Sequence, residues 1–225
     1  MLWKWCKMLE LQNLVAGYSK IPIIGPINLQ VKKGEVLLIW GPNGVGKTTL
    51  LRTIASFLKP LEGSVKLNGK PISKLKRKIF LLDEKVTLPS SLKAIEYLKV
   101  VGALYGHYSD YSKLLKYVGV YPNILISHLS QGQQRRLQLA SILAAESAEL
   151  FLIDDPTVGL DDYSVKALIP WFVEHLTDKD RIVIISTRTS YLKELLTTKA
   201  KIIDATKYTK VLPKITGGQI DHLSG

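Results

Sequence analysis

The sequence contains one cysteine, Cys6, among 225 residues, so no disulfide can form within the chain. Such scarcity of cysteine is typical of proteins from a reducing compartment. Long apolar runs are also missing, because no stretch approaches the roughly 18 apolar residues that a membrane-spanning helix needs. Residues 1–7 lack the apolar stretch of a secretion signal. We therefore expect a cytoplasmic protein, or one at the cytoplasmic face of a membrane.

Acidic residues are few as well: 19 Asp and Glu stand against 31 Lys and Arg, which gives a net charge of +12. This excess favours an anionic partner, whether nucleotide, nucleic acid or lipid headgroup, without choosing among them. Hydrophobic residues make up 46% of the chain and charged residues 22%, which excludes a mostly disordered protein. The length predicts one domain, or one domain with an inserted lobe.

Short apolar runs bounded by turn residues predict strands that alternate with helical patterns. The predicted strands are 8–14, 27–31, 36–40, 64–67, 79–82, 150–153, 181–185 and 201–204. Helices are expected at about 47–57, 133–146 and 163–176, and the segment of about 89–148 has helical periodicity. This alternation predicts a largely parallel α/β sheet that a helical insert interrupts.

The segment 41–49 matches G-x-x-x-x-G-K-[ST] and lies between a predicted strand and a predicted helix. Its glycines let the backbone wrap around phosphates, and the helix adds the positive end of its dipole. In such a loop the lysine, Lys47, reaches the β- and γ-phosphates, and the hydroxyl of Thr48 ligates Mg²⁺. The predicted nucleotide-binding residues are Gly41, Pro42, Asn43, Gly44, Val45, Gly46, Lys47, Thr48 and Thr49.

A second element of such a site is a carboxylate that holds Mg²⁺ at the end of another parallel strand. The predicted strand at 150–153 is followed directly by Asp154, and then by Asp155. A buried strand that ends in an aspartate is common on structural grounds alone. Together with the phosphate loop, however, Asp154 is predicted to ligate Mg²⁺.

The segment 129–133, Leu-Ser-Gln-Gly-Gln, follows the helical insert and precedes Asp154. With it, residues of about 8–207 resemble the nucleotide-binding subunit of an ATP-binding cassette (ABC) transporter, whose signature is Leu-Ser-Gly-Gly-Gln. The resemblance implies a P-loop NTPase fold with a mostly parallel sheet core, an antiparallel β subdomain and an α-helical subdomain inserted at about 89–148. Residues 1–7 and 208–225 are then an appendage and a tail to this single domain.

The resemblance also implies roles outside the phosphate loop. Tyr18, which the pattern puts on a loop after the first strand, matches the aromatic residue on which the family stacks adenine. Asp161 resembles the loop by which two such subunits sense each other's sites. In the family, the signature binds the γ-phosphate held by a second subunit. The same residues can also be explained on structural grounds alone, as a helix start capped by Ser. Its residues here are Ser130, Gln131, Gly132 and Gln133.

Three predicted catalytic positions depart from the family pattern. Asp155 stands in place of the glutamate that polarises the attacking water, and its side chain is one methylene shorter. Glu84 stands at the glutamine of the γ-phosphate-sensing loop, where its carboxylate remains a potential Mg²⁺ ligand; Asp83 is the alternative alignment. Arg188 replaces the switch histidine and cannot act as an acid–base group. These departures imply that ATP is bound well and hydrolysed slowly, with harmless drift in a slow but working enzyme as the alternative.

As a whole, the resemblance implies a peripheral ATPase subunit that uses ATP and Mg²⁺. It would dimerise on Mg-ATP, as a homodimer or as half of an asymmetric heterodimer, and drive transmembrane subunits from the inner face of the cell membrane. Two alternatives are a soluble ABC ATPase without a transport role and a nucleotide-gated subunit that does not hydrolyse ATP. The basic run at 70–78 predicts a solvated face, with contact to anionic lipid as its alternative. Since the run has no base-stacking aromatic residues, a nucleic-acid partner is disfavoured.

Overall fold

Nine strands and six α-helices make up residues 8–210, the part of the chain that this computed structural model describes. The strands are β1 Met8–Tyr18, β2 Ile21–Lys32, β3 Val36–Trp40, β4 Glu62–Leu67, β5 Lys70–Pro71, β6 Ile79–Leu82, β7 Leu150–Asp154, β8 Ile182–Thr187 and β9 Ala200–Asp204. The helices are α1 Lys47–Ile54, α2 Ala94–Leu104, α3 Ser112–Tyr117, α4 Gln131–Ala144, α5 Asp162–Thr177 and α6 Ser190–Leu196. The predicted appendage at 1–7 and most of the predicted tail lie outside the described residues.

Two sheets organise the fold. The parallel sheet has the strand order β6-β7-β8-β3-β9, and the antiparallel sheet has the order β2-β1-β4-β5. Helices α2, α3 and α4 lie in the chain between β6 and β7. The prediction of a mostly parallel core with an antiparallel sheet and an inserted helical segment is therefore confirmed.

The central strands β3, β7 and β8 of the parallel sheet are covered on both faces, which explains their apolar runs, whereas the edge strand β9 is only half-buried. Alternate residues of β3 divide between two apolar clusters. Val36 and Leu38 pack with residues of helices α2 to α6. Leu37 and Ile39 pack with α1 and with the antiparallel sheet. The result is a layered fold in which the carboxyl ends of the parallel strands meet at one edge.

The first hairpin differs from the prediction. Strand β1 extends to Tyr18, so this tyrosine ends a strand and does not lie on a loop, and β2 begins at Ile21 instead of residue 27. The two-residue turn between them has positive φ at both positions, 48° at Ser19 and 68° at Lys20. Two-residue hairpins favour this backbone, but Asn and Gly are its usual residues. A turn of Ser and Lys therefore gave no signal in the sequence.

Helix boundaries also differ from expectation, and one helix is additional. Helix α1 ends at Ile54 and not near residue 57, because Ser56 has a φ of 62° that a helix cannot continue. Helix α4 begins at Gln131 instead of Gln133, because Ser130 caps it. Helix α6 was not predicted. None of the helices within residues 8–210 combines the length and the apolar character that crossing a membrane requires.

Candidate functional site

The candidate site lies where β3, β7 and β8 end. Parallel pairing puts Asp154 of β7 opposite Ser186 of β8, and Trp40 of β3 opposite Thr187. In open parallel sheets, ligands bind in the crevice outside these carboxyl ends. The phosphate loop follows Trp40 directly, so the sheet brings it beside Asp154, which lies more than a hundred residues away in sequence.

The phosphate loop has the backbone that its glycines permit. Gly46 has a φ of 102°, and a Cβ atom there would meet Ile23 at 2.9 Å, so only glycine fits. Gly44 has a φ of 85° with nothing within 4 Å of an added Cβ. Helix α1 then begins with no side-chain cap and no acidic residue in its first turn. Its first N–H groups are therefore available to an anion.

Lys47 is the buried cation of the loop. Its Nζ donates to the carbonyl oxygens of Gly41 at 2.7 Å and of Pro42 at 2.8 Å. Burial lowers the pKa of Lys47, while Asp155 and Asp154 oppose that shift. Because the ammonium donates to neutral carbonyls, its charge remains available to a phosphate.

Thr48 and Asp154 form the candidate metal site. The hydroxyl of Thr48 donates to Oδ2 of Asp154 at 2.6 Å, and Ser186 donates to Oδ1 of the same carboxylate. A hydroxyl and a carboxylate side by side suit Mg²⁺, which prefers oxygen ligands and takes few of them from the protein. No group of three acidic, His or Cys side chains within residues 8–210 gathers around a common point. These donors therefore fit a Mg²⁺ ion that takes further ligands from phosphate and water.

A cavity of about 350 Å³ joins these elements, a volume in the range of ligand-binding pockets. Among the predicted residues it brings together are Tyr18, Asn43, Gly44, Gly46, Lys47, Thr48, Thr49, Glu84, Asp154 and Asp155. The cavity lining does not include Gly41, Pro42 or Val45. The carbonyl oxygens of Gly41 and Pro42 instead accept hydrogen bonds from Lys47. Ile23 and Lys85 also line the cavity, and sequence reasoning missed both. The only signal in the sequence for Lys85 was that it directly follows Glu84.

Glu84 and Asp83 differ in their surroundings. Glu84 lines the cavity. Asp83 instead accepts hydrogen bonds from Nε of Arg52 at 2.7 Å and from the backbone N–H of Lys85 at 3.0 Å. Of the two alternative alignments, Glu84 thus reaches the cavity, whereas Asp83 forms an ion pair with Arg52 of α1.

Asp155 is buried, with 4% of its surface exposed, and its carboxylate already has partners on the chain. Oδ1 accepts from the hydroxyl of Thr157 at 2.8 Å and from that of Thr187 at 3.5 Å. Oδ2 faces Nε of Arg188 at 3.5 Å, and the Arg188 side chain is 46% exposed. The residue predicted at the switch position therefore meets the cavity through its ion pair with Asp155.

The signature residues 130–133 and Asp161 lie apart from the cavity lining. Ser130 caps α4: its hydroxyl accepts from the N–H of Gln133 at 3.3 Å, and the Gln133 side chain accepts from the N–H of Ser130 at 3.0 Å. Asp161 caps α5 in the same way, accepting from the N–H of Ser164 at 2.8 Å, and pairs with Arg136 at 3.2 Å. The predicted capped start of α4 is confirmed.

A sequence model of the family described as ABC transporter matches residues 24–158. The chain belongs to the ABC transporter family. This range contains the phosphate loop, the signature and both Asp154 and Asp155, whereas Tyr18, Asp161 and Arg188 lie outside it.

Individual ABC proteins match over most of the chain. An ABC transporter ATP-binding protein of Methanocaldococcus jannaschii is 32% identical over 196 residues, covering 80% of this chain and 67% of that protein. The cytochrome c biogenesis ATP-binding export protein CcmA of Xylella fastidiosa is 34% identical over 176 residues, covering 75% of this chain and 81% of that protein. The solved structure of an ABC transporter ATP-binding protein from Pyrococcus furiosus has a TM-score of 0.81 and 38% identity, covering 90% of this chain and all of that one.

These findings confirm the family, the fold and the general activity predicted from the sequence. The chain is an ATP-binding subunit of an ABC transporter, an ATPase that works with transmembrane subunits.

Proposed function

We propose that this ABC subunit binds Mg-ATP in the cavity beside Lys47 and, as an isolated chain, hydrolyses it slowly. The observation that carries the proposal is the hydrogen bond of 2.6 Å between Thr48 and Asp154. It joins the phosphate loop to the end of a second parallel strand, next to the buried ammonium of Lys47. A site for a nucleoside triphosphate and its metal ion requires this arrangement.

Each part of the cavity has a role in this proposal. The N–H groups of 44–48 and the ammonium of Lys47 bind the phosphates, and Tyr18, with 42% of its surface exposed, offers a ring to the adenine. Thr48 and Asp154 would hold Mg²⁺, with the carboxylate of Glu84 beside them. The ion, when bound, neutralises part of the phosphate charge.

Slow hydrolysis is supported by the surroundings of Asp155. A carboxylate that orients water needs a free oxygen directed at that water. Here one oxygen accepts from two threonine hydroxyls and the other faces Arg188. The same ion pair favours a second candidate function, a nucleotide-gated subunit that binds ATP without hydrolysing it. Single-turnover hydrolysis of bound ATP separates the two candidates, because only the first releases phosphate.

We further propose that two subunits meet around Mg-ATP, at the inner face of the cell membrane, each offering its capped signature to the other's nucleotide. Ser130 starts a helix of 14 residues, and such a helix start binds anions through its N–H groups and dipole. Asp161, at the start of α5, would lie at the same interface. Homodimer and asymmetric heterodimer are both compatible with this arrangement.

The central experiment replaces Lys47 by Met, which removes the ammonium and keeps the length of the side chain. A charge-assisted hydrogen bond contributes about 1.5–3 kcal/mol, so the Kd for Mg-ATP should rise by roughly 10- to 150-fold. Titration calorimetry measures this change. Lys116→Met, at an exposed position of α3, is the matched control and should bind as the parent does. Parental affinity in a folded Lys47→Met variant would remove the nucleotide site from this cavity.

A further inference from the structure

Arg135, on the second turn of α4, is a buried cation that contacts the site from behind. Only 5% of its surface is exposed. Its Nη2 donates to the carbonyl oxygen of Asp155 at 2.6 Å and to that of Asp154 at 3.2 Å. On the opposite side, the N–H of Asp155 donates to the carbonyl of Ser186 at 3.1 Å. The backbone turn at Asp155, where φ is 37°, is therefore held from α4 and from β8.

Gln138 extends this contact to a second segment of the site. Nη1 of Arg135 donates to Oε1 of Gln138 at 2.9 Å, and Nε2 of Gln138 donates to the carbonyl of Val86 at 2.9 Å. Val86 lies two residues after Glu84. Both ends of the amide are thus used, one toward the Asp155 turn and one toward the Glu84 loop.

Helix α4 joins these contacts to the signature. Ser130 caps its first turn, and Gln138 lies eight residues further on, about 12 Å along the helix axis. A single rigid element therefore holds the signature, the Asp155 turn and the Glu84 loop. The burial of a cation is unfavourable unless it is hydrogen-bonded. Both Nη atoms of Arg135 donate hydrogen bonds, whereas its Nε has no partner among the described residues, so the contacts to Gln138 and to the two carbonyls hold the guanidinium in place.

We propose that Arg135 and Gln138 are positioning residues, which fix the Asp155 turn and the Glu84 loop relative to the signature. Neither residue lines the cavity, so they act through the backbone and not on the nucleotide. The proposal rests on the proposed roles of Asp155 and Glu84. Movement of the signature toward a second nucleotide would, through this pair, move both carboxylate segments.

Two variants separate the two contacts. Gln138→Glu keeps the acceptor for Arg135 but replaces the amide donor by an oxygen that repels the carbonyl of Val86. Arg135→Lys keeps the charge but cannot hold two carbonyls and Gln138 with one planar group. Gln12→Glu, an exposed amide in the antiparallel sheet, makes the same chemical change away from the site and is the control.

The first measurement is amide hydrogen exchange of the full chain without nucleotide. Loss of the neutral hydrogen bond from Gln138 should speed local exchange roughly 2- to 12-fold, and loss of a charge-assisted one from Arg135 roughly 10- to 150-fold. Gln138→Glu should do so at 83–88 and Arg135→Lys at 153–157, while the control changes neither segment. Unchanged exchange at both segments, or a uniform increase across the chain, would overturn the proposal.

The second measurement distinguishes positioning from mere stabilisation. Single-turnover hydrolysis of radiolabelled ATP should slow by about tenfold or more in both variants, since small misplacements have large effects on rate, while the Kd for Mg-ATP stays within about threefold. Equal loss of affinity and rate would mean a structural role only, and would refute the positioning claim. A parent chain that binds no Mg-ATP would instead refute the proposed function. The exchange results would still decide whether Arg135 and Gln138 hold the Asp155 turn and the Glu84 loop in place.

Discussion

Freeing the carboxylate at position 155 should make the isolated subunit hydrolyse ATP faster. The perturbation is the double variant Asp155→Glu with Arg188→His. Arg188→His removes the guanidinium that lies 3.5 Å from Oδ2. Asp155→Glu adds one methylene, which carries the carboxylate beyond Thr157 and Thr187, the donors to the present Oδ1. We expect the combined change to give the site a carboxylate that can orient a water molecule in the cavity.

The size of the effect follows from this geometry. A methylene moves the carboxylate by more than 1 Å, and a misplacement of about 1 Å changes rates by about a hundredfold. Because Glu84 is unchanged, we expect kcat to rise between about tenfold and that limit. The Kd should change less than about threefold, since ground-state binding depends on 41–49 and Tyr18. Glutamate tolerates the positive φ of 37° less well than aspartate, so the melting temperature should fall slightly.

The assay is phosphate release at saturating Mg-ATP, with both single variants measured because the two positions act as a unit. Arg77→His, at an exposed position, controls for the change of Arg to His and should leave the rate unchanged. Glu84→Gln is the third substitution if the double variant stays slow. A triple variant that binds ATP and hydrolyses it no faster than the parent would refute the reasoning, and Gln131 would be the next position to change. Brisk turnover by the unmodified chain would refute it directly.

Three further predictions concern single side chains. Tyr18→Ala should weaken ATP and GTP binding alike, by roughly 1–3 kcal/mol in calorimetry, because stacking discriminates poorly among bases; a bound base away from the ring would contradict this. Ser130→Ala should destabilise the chain by about 1 kcal/mol through loss of the cap, whereas Ser130→Asp keeps the cap and should prevent ATP-dependent dimerisation by repelling phosphate; normal dimerisation of the second variant, by light scattering, would argue against the signature role. The pKa of Asp83 lies below its usual value. Burial raises this pKa, but the hydrogen bonds from Arg52 and Lys85 together lower it by more. The stability from Asp83 is thus present above its unfolded pKa and lost as pH falls below about 4, and Asp83→Asn should flatten that loss in urea unfolding; parallel pH curves would contradict the ion pair.

The sequence predicted those parts of the site that contiguous residues build. The phosphate loop is one segment between a strand and a helix, so its type and position followed from nine consecutive residues. Asp154 followed from the apolar run that precedes it. In both cases local backbone geometry decides the position of the functional atoms, and a pattern of residues is enough to infer it.

The rest of the site depends on contacts between distant segments. Asp155 meets Arg188 only because β7 pairs with β8, and their ion pair could not be inferred from either residue alone. Arg135 and Gln138 look like ordinary polar residues of an amphipathic helix. Their role becomes visible only when α4 packs against the ends of the sheet, because their partners outside the helix are backbone carbonyls, which no sequence pattern marks.

The nucleotide cavity and the signature of this subunit differ in how well they suit hydrolysis, and this difference bears on the choice of partner. The cavity holds a lysine, a hydroxyl and a carboxylate suited to Mg-ATP, but its Asp155 is engaged with Arg188. The signature is a well-formed helix start with both capping hydrogen bonds in place. In a homodimer every composite site would join a capped signature to an engaged carboxylate, so both sites would be slow. We infer that this chain supports faster ATP hydrolysis in a heterodimer than in a homodimer. In a heterodimer its signature would complete a partner's site whose carboxylate is free. Mixing this chain with a candidate partner should raise ATPase activity above the sum of the two alone, and Ser130→Asp in this chain should abolish that gain. A mixture that is merely additive would favour the homodimer.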